Sequence, residues 1–273
     1  ISDGIIVEVG DQLAQDSGSS KDERLIDAAG LVISPGFVDL HVHLREPGRE
    51  EAETIETGSR GAALGGFTAV VAMPNTDPTQ DSVGVVEFVR QQGKRAGLCD
   101  VYPSGSITMG RKGEQLTPFA ELANAGVRLF TDDGNGVQDP QLMRRAYEYA
   151  SDLGVTMAQH CEVESLTAGA VMHEGSCCSH LGLPGWPSLA EELMVHRDIE
   201  LVRLTGAPAH FLHLSTAGSV ALVRAAKADG LPVTAEATPH HISLTDELLA
   251  SYSALYKVNP PLRTDADREA ILD

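Results

Sequence analysis

From Phe37 onward the chain repeats one pattern: an apolar run of strand length, a loop rich in Pro, Asn, Asp, Gly or His, then a helical segment. The strand-like runs are 36–43, 67–73, 100–107, 127–131, 155–160, 210–214 and 232–237. Between them lie helical stretches such as EAETIETGSRGAAL, SVGVVEFVRQQGK, PQLMRRAYEYASDLG, SLAEELMVHRDIELVRLTG and SVALVRAAKADG, several ending at Gly as helices commonly do. Alternation of this kind implies a parallel sheet, because each crossover helix returns the next strand in the same direction. The choice is between a doubly wound open sheet and a closed barrel.

The positions of the polar residues decide it. His41 and His43, Asn75, Asp132 and Asp133, His160, His213, and His240 and His241 all fall at the C-terminal ends of expected strands. A (β/α)8 barrel brings those ends together on one face, whereas an open sheet would spread them along an edge. No phosphate loop or GxGxxG turn follows the first strand, which lowers a dinucleotide-binding alternative. The expected fold is therefore α/β, a TIM-like barrel over 36–273. Residues 1–35, with GIIVEVG and ERLIDAAGLVISPG flanking a polar stretch, are expected to form part of a small β-sandwich-like domain. Seven strands are found rather than eight, and the last segment, TDADREAILD, reads as a helix starting at a Thr264 or Asp265 N-cap. With residue 1 an Ile, the expectation is a barrel truncated before its eighth strand, leaving an apolar strand edge exposed.

Composition narrows the function. A formal charge of −19 and an aromatic share of 4% argue against nucleic-acid and anionic-membrane partners, which need basic surface and, for bases, stacking platforms. No apolar run approaches the ~18 residues of a transmembrane span, and the N-terminal ISDGIIVEVGDQ lacks the form of a signal peptide. Cys99, Cys161, Cys177 and Cys178 make no CxxC pair, which suits a reduced, cytoplasmic protein.

The chemistry concentrates in GFVDLHVHLREPG. Two histidines one residue apart on a strand point to the same side, and burying both is costly unless something binds them. A divalent metal is the simplest candidate. Asp133 in LFTDDGNG, His160 in MAQHCE and His213 in FLHLST stand ready at other strand ends, and imidazoles with a carboxylate suit zinc. Two metal ions joined by a carboxylate lower the pKa of the water they bind, which points to hydrolysis. Arg45 shares the side of His43 if the extended chain persists, and its fork can grip a carboxylate. Asn75 can add a hydrogen bond to the same group, and Asn259, beside a stiff Pro-Pro, can be either a substrate contact or a turn residue. Asp132 reads as a neighbour of Asp133. His173, His180 and His196 read as surface or packing residues, and His210 as pointing away or lying too early. One of His240 and His241 is expected to line the site without ligating.

PGFVDLHVHLREPG, AMPNT, FTDDG, HCE, HLST, EATPHH and NPPLR occur in the order seen in the dihydroorotases of the amidohydrolase superfamily, and the chain resembles that family from about Ala29 to its end. It is similar to the bacterial type in which an aspartate replaces a bridging carboxylated lysine. The resemblance implies His41, His43, Asp133, His160 and His213 as ligands of one or two Zn2+, and Arg45, Asn75 and Asn259 as substrate-binding residues. It implies reversible hydrolysis of L-dihydroorotate to N-carbamoyl-L-aspartate, in pyrimidine biosynthesis. It also implies an aspartate general acid/base after an eighth strand, beyond Asp273. No catalytic acid/base is thus expected within the chain, a loss worth ~10²–10⁴-fold. Expected partners are the small-molecule substrate, a second copy in a homodimer, and aspartate transcarbamoylase. The rivals are an allantoinase- or dihydropyrimidinase-like amidase, which lacks an Arg at the place of Arg45, and a non-catalytic scaffold, which tends to lose the HxH pair.

Overall fold

The computed structural model describes residues 1–10 and 26–273. The chain divides into two compact units, Ile1–Pro35 and Gly36–Asp273. In the first, a bridge pairs Ser2 with Ile5, while Ile5, Ile6, Val7, Leu31, Val32 and Ile33 are exposed. The polar stretch 16–22 lies outside the described residues.

The second unit is built from strands β1 (Phe37–Val42), β2 (Phe67–Ala72), β3 (Asp100–Pro103), β4 (Leu129–Thr131), β5 (Thr156–Gln159), β6 (Met172–His173), β7 (Gly185–Trp186), β8 (Ala209–Phe211) and β9 (Val233–Ala235). The helices are α1 (Ile55–Leu64), α2 (Val83–Ala96), α3 (Phe119–Asn124), α4 (Pro140–Leu153), α5 (Glu164–Thr167), α6 (Ser176–Leu181), α7 (Leu189–Thr205), α8 (Ala217–Ala228), α9 (Pro239–Ser243) and α10 (Asp265–Leu272). All named strand pairs are parallel: β1-β2-β3 form one ladder and β4-β5-β8-β9 another. A parallel bridge from Gly105 to Phe130 links the two into one arc. β6 and β7 pair with each other in an excursion between β5 and α7.

Local chemistry explains the element ends. Asp139 caps α4 by accepting from the Leu142 N–H at 2.7 Å, with Pro140 at the first helical position. Helices α4 and α7 stop at Gly154 and Gly206, whose φ of 63° and 71° a side chain would resist. Thr264 caps α10 in a reciprocal capping box with Asp267. The third strand is shorter than the apolar run 100–107 because Pro103 brings no N–H and the chain then turns to Asp132. The Ile107 and Thr108 N–H groups donate to its carboxylate at 2.8 and 3.0 Å.

The main core lies where β4, β5 and β8 meet α3, α4 and α7: Phe130, Met157 and Phe211 are fully buried with Leu122, Met143, Tyr147 and Val202. Strands covered on both faces read as continuous apolar runs, as these do. The arc does not close between β9 and β1. Val38 and Leu40 are 58% and 44% exposed on that edge, and a cavity of about 650 Å³ opens between β1 and β9. Among the described residues no helix is long and apolar enough to cross a membrane.

Candidate metal centre

The strand ends converge as the polar pattern requires. His41 and His43 leave β1 on one side, with their Nε2 atoms 3.3 Å apart. Each of those atoms lies 3.5 Å from Oδ2 of Asp133, which follows β4. On the other side of the same carboxylate, His160 Nδ1 and His213 Nε2 are 3.0 Å apart, and each lies 3.4 Å from Oδ1. Two clusters of three candidate ligands therefore share Asp133. Bonds of ~2.0–2.1 Å in a tetrahedral zinc site set ligand atoms about 3.3 Å apart, so both clusters have the spacing such an ion needs.

The far sides of the rings are also accounted for. His41 Nδ1–H donates to Glu236 Oε1 at 2.6 Å, His43 Nδ1–H to Asn75 Oδ1 at 3.0 Å, and His160 Nε2–H to Glu162 Oε2 at 2.9 Å. Such partners fix the tautomer and aim the opposite nitrogen at the cluster, as around bound metals. Glu162 is braced by the Thr167 hydroxyl. Asp132 is clamped by Thr108 and the backbone of 107–108, so it holds the loop that presents Asp133 rather than joining it.

The electrostatics fit a cation. Burial alone would lower His41 and His160, but the carboxylates of Asp133 with Glu236, and of Asp133 with Glu162, outweigh it and raise them to about 10 and about 9. Burial would raise Asp133, yet His160, His213 and His41 hold it well below the usual carboxylate range. Glu236 is likewise pulled to about 2 against burial, by His210 and His41. His43 and His213 are lowered, chiefly by burial. Raised imidazoles around a depressed carboxylate mark the cluster as a place of negative potential, which suits a cation.

The remaining expected residues are placed as follows. Arg45 does not continue the strand: its φ is 58°, so it turns out of the extended line that would align it with His43. Its guanidinium still lies near enough to help depress His43. The Asn75 carbonyl is engaged by His43, leaving its amide N–H groups as the free donors. Asn259 lines the cavity with His41, His43, His213 and His240. Its side-chain amide also helps lower Glu162, after burial and the bonds from His160 and Thr167.

The sequence profile of the dihydro-orotase-like family matches residues 30–219. The chain belongs to that family. Over 274 aligned residues it is 52% identical to a dihydroorotase of Mycobacterium tuberculosis, covering 99% of the chain and 63% of the relative. It is 50% identical to a dihydroorotase of Streptomyces coelicolor, covering 99% of the chain and 64% of that relative. The chain thus spans somewhat under two thirds of the length of these relatives. Among solved structures, an L-hydantoinase (dihydropyrimidinase) from Arthrobacter aurescens superposes with a TM-score of 0.76 at 21% identity, over 93% of the chain and 59% of that structure. A dihydroorotase from Saccharomyces cerevisiae in complex with 5-fluoroorotic acid gives 0.67 at 17%, over 88% and 66%. At these identities the likeness speaks for the fold, the barrel of the family.

Two carboxylates escaped attention as single residues: Glu162 in HCE and Glu236 in EATPHH. Each stands just past a strand end, and that position was the available signal. Three histidines depart from expectation. His210 does not point away: it lines the cavity, with Nε2 3.1 Å from Glu236 Oε2 and Nδ1 2.8 Å from the Thr234 hydroxyl. His240 and His241 belong to α9 rather than to the strand before it, because Thr238 caps a helix that Pro239 begins. His240 lines the cavity and His241 is buried.

Proposed function

We propose that the chain carries the metal-binding and substrate-gripping face of a zinc-dependent dihydroorotase, which interconverts L-dihydroorotate and N-carbamoyl-L-aspartate. The observation that carries this reading is the single Asp133 carboxylate shared between two histidine pairs at tetrahedral spacing, with Arg45 close by. His41, His43 and Asp133 would hold one ion, and Asp133, His160 and His213 a second. Divalent ions held there supply Lewis acidity and lower the pKa of water.

The chain's own groups orient the metal ligands and hold the substrate. Glu236, Asn75 and Glu162 fix three of the imidazoles, so that their orientation does not change during reaction. Arg45 offers a planar fork to the substrate carboxylate, the group that separates dihydroorotate from neutral cyclic amides. The Asn75 and Asn259 amides supply further hydrogen bonds, and the cavity of about 650 Å³ has room for a small ring. The same reading sets the chain in the cytosol, in keeping with four unpaired thiols, with a second copy or an aspartate transcarbamoylase as protein partner.

The test is metal content together with ligand affinity measured by calorimetry on the zinc-loaded chain. The expected result is zinc in the centre and L-dihydroorotate bound, with affinity falling about 10- to 100-fold in Arg45→Ala while zinc stays, the range for a charge-assisted pair. Tighter binding of a neutral hydantoin than of dihydroorotate, or a chain that takes up no zinc, would overturn the reading.

A further inference from the structure

Asn259 opens the segment 259–263, and the four residues after it are buried while it stands exposed in the cavity. Pro260 and Pro261 have no N–H, so this loop cannot be tied down by donating from those positions. It must be held through its carbonyls and its side chains. Arg263 secures the far end, with Nε donating to Ser215 Oγ at 3.0 Å and a terminal nitrogen donating to the Trp186 carbonyl at 2.8 Å.

At the near end the Asn259 side-chain amide faces Glu162, and the backbone just after it is held by one ring. His241 Nε2–H donates to the Pro260 carbonyl at 3.1 Å, and the Thr238 hydroxyl donates to its Nδ1 at 2.7 Å, which leaves a single tautomer. The ring is 3% exposed and is not among the residues lining the cavity, whereas its neighbour His240 is. Helix α9 thus presents one histidine to the cavity and uses the other to grip the backbone immediately after Asn259.

We propose that His241 is a positioning residue for Asn259: by holding the Pro260 carbonyl it sets the Asn259 amide at the substrate site without touching substrate. This rests on Asn259 being a substrate-binding group, as proposed above. Only a donor of sufficient reach can do the work. Gln can reach the carbonyl, whereas Leu cannot donate and Asn is too short.

The experiment is a double-mutant cycle on the zinc-loaded chain, reading the Kd of L-dihydroorotate by calorimetry and zinc content on the same samples. His241→Leu is expected to weaken binding about three- to tenfold, the range for one lost neutral hydrogen bond, with zinc unchanged. In an Asn259→Ala background the same substitution is expected to do nothing further, and His241→Gln is expected to retain most of the affinity. Should His241→Leu not fold, His241→Asn takes its place in the cycle. Losses that multiply in the double variant, or a His241→Gln chain as weak as His241→Leu, would overturn the proposal. Failure of the unsubstituted chain to bind dihydroorotate would defeat the functional reading instead. The NMR signals of the Asn259 side-chain amide then decide the role of His241: signals displaced in His241→Leu but not in His241→Gln support the hold, and unchanged signals in all three refute it.

Discussion

Burial of His241 has a measurable price in acid. Its ring sits between the Thr238 hydroxyl and the Pro260 carbonyl, with the His240 ring tilted against it at a centroid distance of 4.5 Å. Burial, and then the neighbouring His240, push its pKa from 6.5 to about 3. A folded value below the unfolded one means that the unfolded chain takes up the proton first. Stability from this group is therefore complete above pH 6.5 and is lost as pH falls toward 3. Each pH unit in that window removes about 1.4 kcal/mol, so about 2 kcal/mol has gone by about pH 5. The comparison is between metal-free samples of the chain and of His241→Gln, unfolded in urea at about pH 7, 6 and 5. The other histidines titrate in both proteins and largely cancel in the difference. The stability difference is expected to move by about 2 kcal/mol in favour of the variant between pH 7 and 5. Parallel curves across that range would refute the argument, because they would mean that the folded protein accommodates a protonated ring at this position.

Other outcomes follow from the same structure. Because His41 and His160 hold protons up to about pH 10 and 9 in the metal-free cluster, zinc uptake near pH 7.5 is expected to release about two protons. Calorimetry in two buffers of different ionisation enthalpy measures this, and a release near zero would contradict the assigned protonation. Glu236→Gln removes the carboxylate behind His41 and is expected to weaken zinc about 10- to 100-fold in a chelator competition. Phe130→Ala, in the core against Phe119 and Gly105, is expected to cost about 3–5 kcal/mol in denaturant unfolding, and a loss under 1 kcal/mol would mean that the site collapses around the void.

The alternation of strand and helix, and the crowding of polar residues at strand ends, were enough to foresee a parallel barrel and a cluster of candidate metal ligands on one face. Both patterns are local and periodic: an apolar run must be covered on both sides, and a strand puts His41 and His43 on one side by its two-residue repeat. Asp133, His160 and His213 could be named in advance because each ends such a run. The grip of Asp132 on Thr108, the turn at Arg45 and the start of a helix at Pro239 lay beyond that pattern. The first depends on groups that another segment brings within reach, the second on a φ that the extended pattern does not contain, and the third on a local cap that a strand pattern passes over. The same holds for the roles of Glu236 and His241, whose partners lie 195 and 19 residues away along the chain. Sequence periodicity decides which residues face a common interior. Only the folded chain decides which of them meet at hydrogen-bonding distance, since that depends on curvature and register accumulated over the whole arc of strands.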